Sequence, residues 1–203
     1  RYLAHHDALT GLANRTLLAD RIGQAILAAG RGGKELALCF LDLDYFKRIN
    51  DSVGHSVGDQ VLIEIARRLR ICVRESDTLA RIGGDEFVLL LGNLESSEDC
   101  LRVVDKAIAA VVEPIRLDSG TFSVTTSVGI AVWPHDGADG ETLMRNADVA
   151  MYHAKNSGRN SFQFFSAELN AYSHELLALE SDLREAVAQG QLVLHYQAQV
   201  DGL

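Results

Sequence analysis

Three acidic residues stand where apolar segments end, and side chains placed in this way can do chemistry. Asp42 closes one apolar run, while Asp85 and Glu86 follow the glycine pair Gly83 and Gly84 between two others. Two carboxylates about 4 Å apart repel by roughly 4 kcal/mol at an effective dielectric constant near 20, so acids that converge need a shared proton or a bound cation. Oxygen ligands favour magnesium, manganese or calcium over zinc. The alternative is that these acids are solvated turn residues.

Apolar spacing assigns the acids to particular elements. The stretch Leu36–Leu43 is nearly uninterrupted in apolar residues, which is typical of a central strand covered on both faces, and Asp42 would emerge at its carboxyl end. A glycine pair between two apolar runs indicates a β-hairpin, which would carry Asp85 and Glu86 on its tight turn. The three acids would converge if the strand and the hairpin are neighbours in one sheet.

The remaining periodicity predicts further helices and strands. The predicted helices are Asn14–Ala29, Tyr45–Asp51, Gly58–Val73, Ser96–Val112, Glu141–Asn156 and Glu168–Gln189. The other predicted strands are Thr78–Ile82, Phe87–Leu91, Thr121–Val132, Ser161–Phe165 and Leu192–Gln197. Hairpins mixed with helices in this order favour an α+β layer over a doubly wound parallel sheet.

Charge and apolar run lengths limit the classes of function. The net charge of −9 argues against broad nucleic-acid binding, because that needs clustered cations to neutralise phosphates. No apolar run approaches the roughly 20 residues that cross a bilayer, so we expect no membrane contact from this chain. Gly33-Lys34 is followed by Glu35, which excludes a G-x-x-x-x-G-K-S/T phosphate loop and leaves an ordinary ATPase with little support.

The cysteines and the first residue bear on the cellular setting. Cys39, Cys72 and Cys100 lie in apolar segments without metal-ligand spacing, which favours a reducing cytoplasm. The chain opens at Arg1 rather than Met, so we expect a cytoplasmic fragment of a longer protein, which could be anchored in a membrane upstream.

Five blocks of sequence resemble one family. The segment Arg81–Phe87, which reads Arg-Ile-Gly-Gly-Asp-Glu-Phe, resembles the signature of GGDEF diguanylate cyclase domains. The other blocks follow in the family's order and are Asp7–Arg15, Asp42–Asp51, Gly54–Asp59 and Tyr152–Asn160. The resemblance covers about residues 3–165. It implies a ferredoxin-like, nucleotide-cyclase-type fold, with a central sheet of about five main strands, helices packed on both faces and a C-terminal helix.

The resemblance also implies a reaction centre. Asp42, the backbone carbonyl of Leu43, Asp85 and Glu86 would hold Mg²⁺, with Mn²⁺ as a possible substitute and two ions in each active site. Asp85 and Glu86 would be the catalytic pair, and Asp85 is the residue usually assigned to deprotonating the 3′-hydroxyl. The ions would neutralise the triphosphate of GTP and polarise its α-phosphorus.

Substrate contacts follow from the same resemblance. The residues that would bind GTP are Tyr45, Phe46, Lys47, Asn50, His55, Asp59, Gly83, Gly84, Lys155 and Arg159. The first three would offer backbone N–H groups to phosphates, and Lys155 and Arg159 would face the terminal phosphates. Asn50 and Asp59 would read guanine, which favours GTP over the ATP of adenylyl cyclases.

Two further features extend the resemblance. Arg74 and Asp77 match the RxxD inhibitory site at which such cyclases bind their product, cyclic di-GMP. Residues 191–203 resemble the beginning of an EAL phosphodiesterase domain, although Ala198 replaces the usual proline and the chain ends before that domain's catalytic residues. The implied organisation is a GGDEF domain at 1–165, a linker helix at 166–190 and a truncated EAL domain at 191–203.

The function implied is condensation of two GTP molecules into cyclic di-GMP and two pyrophosphates. Each subunit of a homodimer would present one GTP, because one subunit alone cannot complete the geometry. One alternative is a non-catalytic GTP-binding domain that regulates the adjacent EAL phosphodiesterase. Another is a scaffold, which would leave the acids, Asn50, Asp59 and Lys155 unexplained.

Overall fold

The computed structural model describes residues 4–169, 186–187 and 189–191. The helices are α1 Arg15–Gly32, α2 Phe46–Val53, α3 His55–Cys72, α4 Leu101–Val112 and α5 Gly140–Asn156. The strands are β1 Glu35–Asp44, β2 Thr78–Gly83, β3 Glu86–Leu94, β4 Ile115–Leu117, β5 Gly120–Phe122, β6 Thr125–Trp133 and β7 Ser161–Phe164.

The main sheet has five strands in the order β2-β3-β1-β6-β7. The strand pairs are antiparallel except for β6 and β7, which run parallel. Strand β1 is central and buried along nearly its whole length, as its continuous apolar sequence predicts. The acids at its end therefore emerge from the central, buried strand of the sheet.

Helices cover both faces of this sheet. One face packs on α3 and α4 through a core that includes Ile65, Leu69 and Val104. The other face packs on α1 and α5 through a second core that includes Leu18 and Leu143. This five-stranded sheet with helices on both faces confirms the predicted α+β, nucleotide-cyclase-type fold.

Two helix boundaries differ from prediction. Helix α1 begins after Asn14, whose side chain accepts the Leu17 N–H at 3.0 Å, but it continues past Gly30 to Gly32. Helix α3 starts at His55 instead of Gly58. Gly54 is both the C-cap of α2 and the N-cap of α3, and a glycine has no side chain to cap a helix. No capping side chain signals that start in the sequence.

Two predicted elements are each divided. The predicted helix Ser96–Val112 is a 3₁₀ turn, Ser97–Cys100, followed by α4. The predicted strand Thr121–Val132 was wrong as one element, because β5 ends at Phe122 and β6 begins at Thr125. Strand β5 pairs instead with β4 in a separate two-stranded sheet.

The C-terminal predictions fall almost entirely outside the described residues. Residues 167–169 are helical, and the rest of the predicted helix Glu168–Gln189 is described only at 186–187 and 189. The strand prediction Leu192–Gln197 lies outside the description. Within the described part, Leu169 contacts α5 through a 2.9 Å hydrogen bond between its carbonyl and Nε2 of His153. None of the described helices has the length and apolar character needed to cross a membrane.

Candidate active site

The β2–β3 hairpin lies directly beside the carboxyl end of β1. Asp42 is paired with Glu86 in the antiparallel register of β1 and β3. One residue further, the N–H of Leu43 donates to the carbonyl of Asp85 at 3.3 Å. The sequence predicted that the acids converge only if the strand and the hairpin are neighbours in one sheet. The structure shows that they are.

Burial and mutual repulsion perturb these acids. The pKa of Asp42 is raised mainly by burial and further by the carboxylates of Asp85 and Asp44, although the ammonium of Lys155 opposes the shift. Nζ of Lys155 lies 2.8 Å from Oδ1 of Asp42. The pKa of Glu86 is also raised by burial and by neighbouring carboxylates, Asp42 first among them. The site is thus short of positive charge.

The hairpin tip requires glycine for its backbone. Gly83 has a φ angle of 152° and Gly84 of 49°, which place both in the region that disfavours side chains. A β-carbon on either would meet no atom within 4 Å, so the conformation and not crowding demands glycine. The open space above them would let a ligand approach the backbone.

Arg81 holds the tip in place, a role that the sequence interpretation missed. Its Nε and Nη2 donate to the carbonyl of Gly84 at 2.9 and 2.7 Å. Its Nη1 lies 2.9 Å from both carboxylate oxygens of Asp7, whose Oδ1 also accepts from Thr10. The signal was present in the sequence, because Asp7 and Arg81 both belong to the family-like blocks.

Asp44 is a second residue that was missed. It is only 4% exposed, and its carboxylate accepts from the hydroxyl of Thr125 at 2.6 Å and that of Ser127 at 2.8 Å. It also accepts from the N–H of Asn160 at 3.2 Å and lies 4.0 Å from Nε of Arg159. Asp44 therefore fastens the segment that carries Arg159 to the end of β1.

The start of α2 lies immediately after β1. Tyr45 is the N-cap residue, with a left-handed φ of 59° and no side-chain cap, and Phe46 is the first helical residue. The N–H groups of the first helical residues have no partner inside the helix. The exposed ring of Tyr45 contacts two guanidiniums, with Cζ of Arg48 at 4.4 Å and Cζ of Arg159 at 4.7 Å from its centroid. Cations are therefore gathered beside this helix start.

The predicted guanine-reading residues meet at the joint between α2 and α3. Asn50 is on α2, and His55 and Asp59 are on the first turns of α3. The side chain of Asn50 packs against Gly58, which immediately precedes Asp59. His55 is exposed at the helix start, and its predicted contact with nucleotide stays a prediction.

The RxxD residues occupy a different place, the loop between α3 and β2. Asp77 is buried, and its Oδ2 accepts the backbone N–H of Arg74 at 3.0 Å. Arg74, Asp77 and Arg102 line a cavity of about 320 Å³. Neither Asp42 nor the hairpin acids line it, so this is a separate candidate site.

The predicted metal ligands offer only oxygen atoms, which suits Mg²⁺ or Mn²⁺. The pKa values of Asp42 and Glu86 are raised partly by neighbouring carboxylates, and a bound cation would offset this repulsion. Across residues 4–169, 186–187 and 189–191, no three His, Cys, Asp or Glu side chains are already arranged to hold a metal ion. In this arrangement Lys155 supplies the positive charge next to Asp42.

Comparison with known proteins gives consistent matches. Residues 4–161 match the family described as diguanylate cyclase, GGDEF domain, whose members generally use divalent metal ions. The chain is 48% identical over 198 residues to the bifunctional diguanylate cyclase/cyclic di-GMP phosphodiesterase MucR of Pseudomonas aeruginosa, covering 98% of this chain and 29% of MucR. It is 43% identical over 197 residues to the cyclic di-GMP phosphodiesterase NbdA of the same organism, covering 97% of this chain and 25% of NbdA.

A solved structure agrees in fold. The GGDEF domain of TpbB (YfiN) from P. aeruginosa superposes with a TM-score of 0.81 at 43% identity, covering 84% of this chain and 99% of that one. The chain spans less than a third of the length of MucR and of NbdA. The fold, the hairpin signature and these matches together show that this chain belongs to the GGDEF diguanylate cyclase domain family.

Proposed function

We propose that this domain condenses two GTP molecules into cyclic di-GMP and two pyrophosphates. The observation that carries the proposal is the pairing of Asp42 with Glu86, reinforced by the hydrogen bond from Leu43 to Asp85. It creates a concentrated acidic site at the end of a buried strand. Such a site fits divalent cations and a polyphosphate substrate.

In this proposal Asp42, the carbonyl of Leu43, Asp85 and Glu86 hold two Mg²⁺ ions, with Mn²⁺ as a substitute. When bound, the ions neutralise the triphosphate and make the α-phosphorus a better electrophile. Asp85 and Glu86 serve as the catalytic residues, and Asp85 accepts the proton of the attacking 3′-hydroxyl.

Phosphate binding falls to the helix start and two cations. The N–H groups of Tyr45, Phe46 and Lys47 face phosphate oxygens at the beginning of α2. Arg159 binds the terminal phosphates from its place beside Tyr45 and Asp44. Lys155 would bind them too, because its ammonium, which lies 2.8 Å from Oδ1 of Asp42, is carried on a flexible side chain that can turn to a phosphate.

Guanine is read by Asn50 and Asp59, with His55 at the rim and Gly83 and Gly84 leaving room for the nucleotide. A carboxylate accepts from guanine N1–H and one hydrogen of the N2 amine, while the amide oxygen of Asn50 accepts the other amine hydrogen and its nitrogen donates to a ring nitrogen. The position of Asn50 against Gly58, next to Asp59, supports this pairing.

Catalysis is proposed to need a homodimer, in which each subunit's 3′-hydroxyl attacks the α-phosphate held by the other. Product would bind at Arg74 and Asp77 and inhibit the enzyme. What supports this placement is the pair of guanidiniums, Arg74 and Arg102, that line the cavity of about 320 Å³ together with the carboxylates of Asp77, Glu95 and Asp99.

For the parent protein we propose a cytoplasmic GGDEF domain at 1–165, a linker helix at 166–190 and the beginning of an EAL domain from 191. The alternative function is a GTP-binding domain without turnover that regulates that EAL domain. The similarity to NbdA, which is named as a phosphodiesterase alone, is the observation that favours this alternative.

The test is to incubate the purified chain with GTP and Mg²⁺ and to separate the products by chromatography. We expect cyclic di-GMP and pyrophosphate from the unaltered chain, none from Asp85→Asn, and an unchanged rate from Asp118→Asn, an exposed acid in the β4–β5 turn. GTP binding by calorimetry without any product would favour the regulatory alternative. Failure to bind GTP at all would refute both.

A further inference from the structure

Gly58 lies at the joint of α2 and α3, where two helices meet more closely than a side chain would allow. A β-carbon on this buried glycine would overlap Oδ1 of Asn50. It would also stand 3.1 Å from Cγ of Asn50 and 3.2 Å from Cζ of Phe46. Because Gly58 has no positive φ angle, the close approach requires glycine here and the backbone conformation does not.

This contact fixes Asn50 relative to Asp59. Asp59 is bonded to Gly58, so the amide of Asn50 rests on the backbone that carries the carboxylate. The backbone around the joint is itself held, since the N–H of Gly54 donates to the carbonyl of Asn50 at 2.9 Å and the N–H of Gly58 to that of Gly54 at 3.2 Å.

Both polar groups remain available to a ligand. Among the described residues, neither the side-chain amide of Asn50 nor the carboxylate of Asp59 has a hydrogen-bond or ion-pair partner. Asn50 is therefore held by packing against Gly58, while its donors and acceptor stay free.

We propose that Gly58 is a positioning residue for guanine recognition. Its missing side chain lets the amide of Asn50 stand beside the carboxylate of Asp59, so that both can read the same base. A larger residue would push the amide away and would leave Asp59 to bind alone. The inference rests on the proposed function, in which Asn50 and Asp59 hold guanine.

The experiment measures binding by calorimetry, using the whole chain and a GTP analogue with a methylene between the α- and β-phosphates. Its inosine counterpart, which lacks the N2 amine, measures base preference. Gly58→Ala is expected to weaken the guanosine analogue about tenfold, or about 1.4 kcal/mol, and to reduce the preference over inosine. Gly23→Ala is the matched control, because Gly23 is also helical and a β-carbon there meets nothing within 4 Å.

Repeating Gly58→Ala in the Asn50→Ala variant shows whether its effect on base preference depends on Asn50. In Asn50→Ala the added methyl has no amide to displace, so Gly58→Ala should cause no further loss of preference. An unchanged preference in Gly58→Ala, or an equal loss in both backgrounds, would overturn the proposal. If Gly58→Ala unfolds, the double variant should recover the fold, and failure to recover it would also overturn the proposal.

The outcome separates this inference from the function on which it rests. If Asn50→Ala alone leaves the preference for guanosine unchanged, the assignment of the guanine site is wrong and the role of Gly58 falls with it. If Asn50→Ala removes the preference but Gly58→Ala does not alter it, only the role of Gly58 is wrong.

Discussion

Arg81→Ala should separate the first described segment of the chain from the β2–β3 hairpin. The Arg81 guanidinium bonds both carboxylate oxygens of Asp7 and the carbonyl of Gly84, at distances of 2.7–2.9 Å. It is only 11% exposed, and Asp7 is 19% exposed. Alanine would leave the carboxylate of Asp7, and the carbonyl of Gly84 at the hairpin tip, without their charged partner.

The expected cost follows from this burial. Removing one partner of a fully buried ion pair costs about 3–5 kcal/mol, whereas an exposed pair contributes about 0–1 kcal/mol. Because Arg81 and Asp7 are mostly but not wholly buried, we expect a loss of about 3 kcal/mol. For a chain of this length each kcal/mol lowers Tm by about 2–4 °C, so Tm should fall by about 6–12 °C.

Thermal unfolding of Arg81→Ala beside Arg67→Ala tests this reasoning. Arg67 makes a comparable two-point contact with Glu64, with both distances 2.8 Å, but its side chain is 61% exposed. Arg67→Ala should therefore lower Tm much less than Arg81→Ala does, because solvent screens an exposed ion pair. Equal losses in the two variants would refute the argument that burial of the Asp7–Arg81 pair stabilises the hairpin.

Three further changes have defined outcomes. Asp44→Asn should lower the free energy of unfolding, measured by denaturant titration, by about 3 kcal/mol. The reason is that an amide cannot accept from both Thr125 and Ser127 and also pair with Arg159 as a charge. An unchanged free energy of unfolding would contradict the fastening role. In the absence of divalent cations, Glu86→Gln should raise Tm at pH 7, because the raised pKa of Glu86 means that its ionisation destabilises the folded state. The gain in Tm should vanish below pH 4.5, where the carboxyl is protonated in both the folded and the unfolded chain. A lowered Tm at pH 7 would contradict this reasoning. Arg74→Ala should raise the cyclic di-GMP concentration for half-inhibition by about tenfold, and an unchanged value would exclude the RxxD site.

The strand and the hairpin were predictable because their signals are local. The apolar run Leu36–Leu43 marks a central strand, and the pair Gly83-Gly84 marks a tight turn, as the structure shows. Whether Asp42 faces Glu86 depends on the pairing register of β1 and β3, which periodicity does not encode. The family resemblance supplied this missing information, because it implied that the acids belong to one site.

Other features depended on contacts distant in sequence. The hydroxyl partners of Asp44 lie on β6, more than 80 positions away, so nothing near it in the chain indicates a fastening role. The short strands β4 and β5 have only three residues each, too few for an alternating pattern to appear. The close approach at Gly58 likewise arises only when α2 and α3 are packed.

In the proposed function, Asp42 and the hairpin acids share divalent cations, and this sharing can be measured. It is tested most directly by electron paramagnetic resonance of Mn²⁺ titrated into the chain with the methylene GTP analogue. Asp42→Asn and Glu86→Gln should each lower Mn²⁺ affinity by tenfold or more, because each removes a charged ligand of the same site. Unaltered Mn²⁺ affinity in either variant would contradict a shared site at the end of β1.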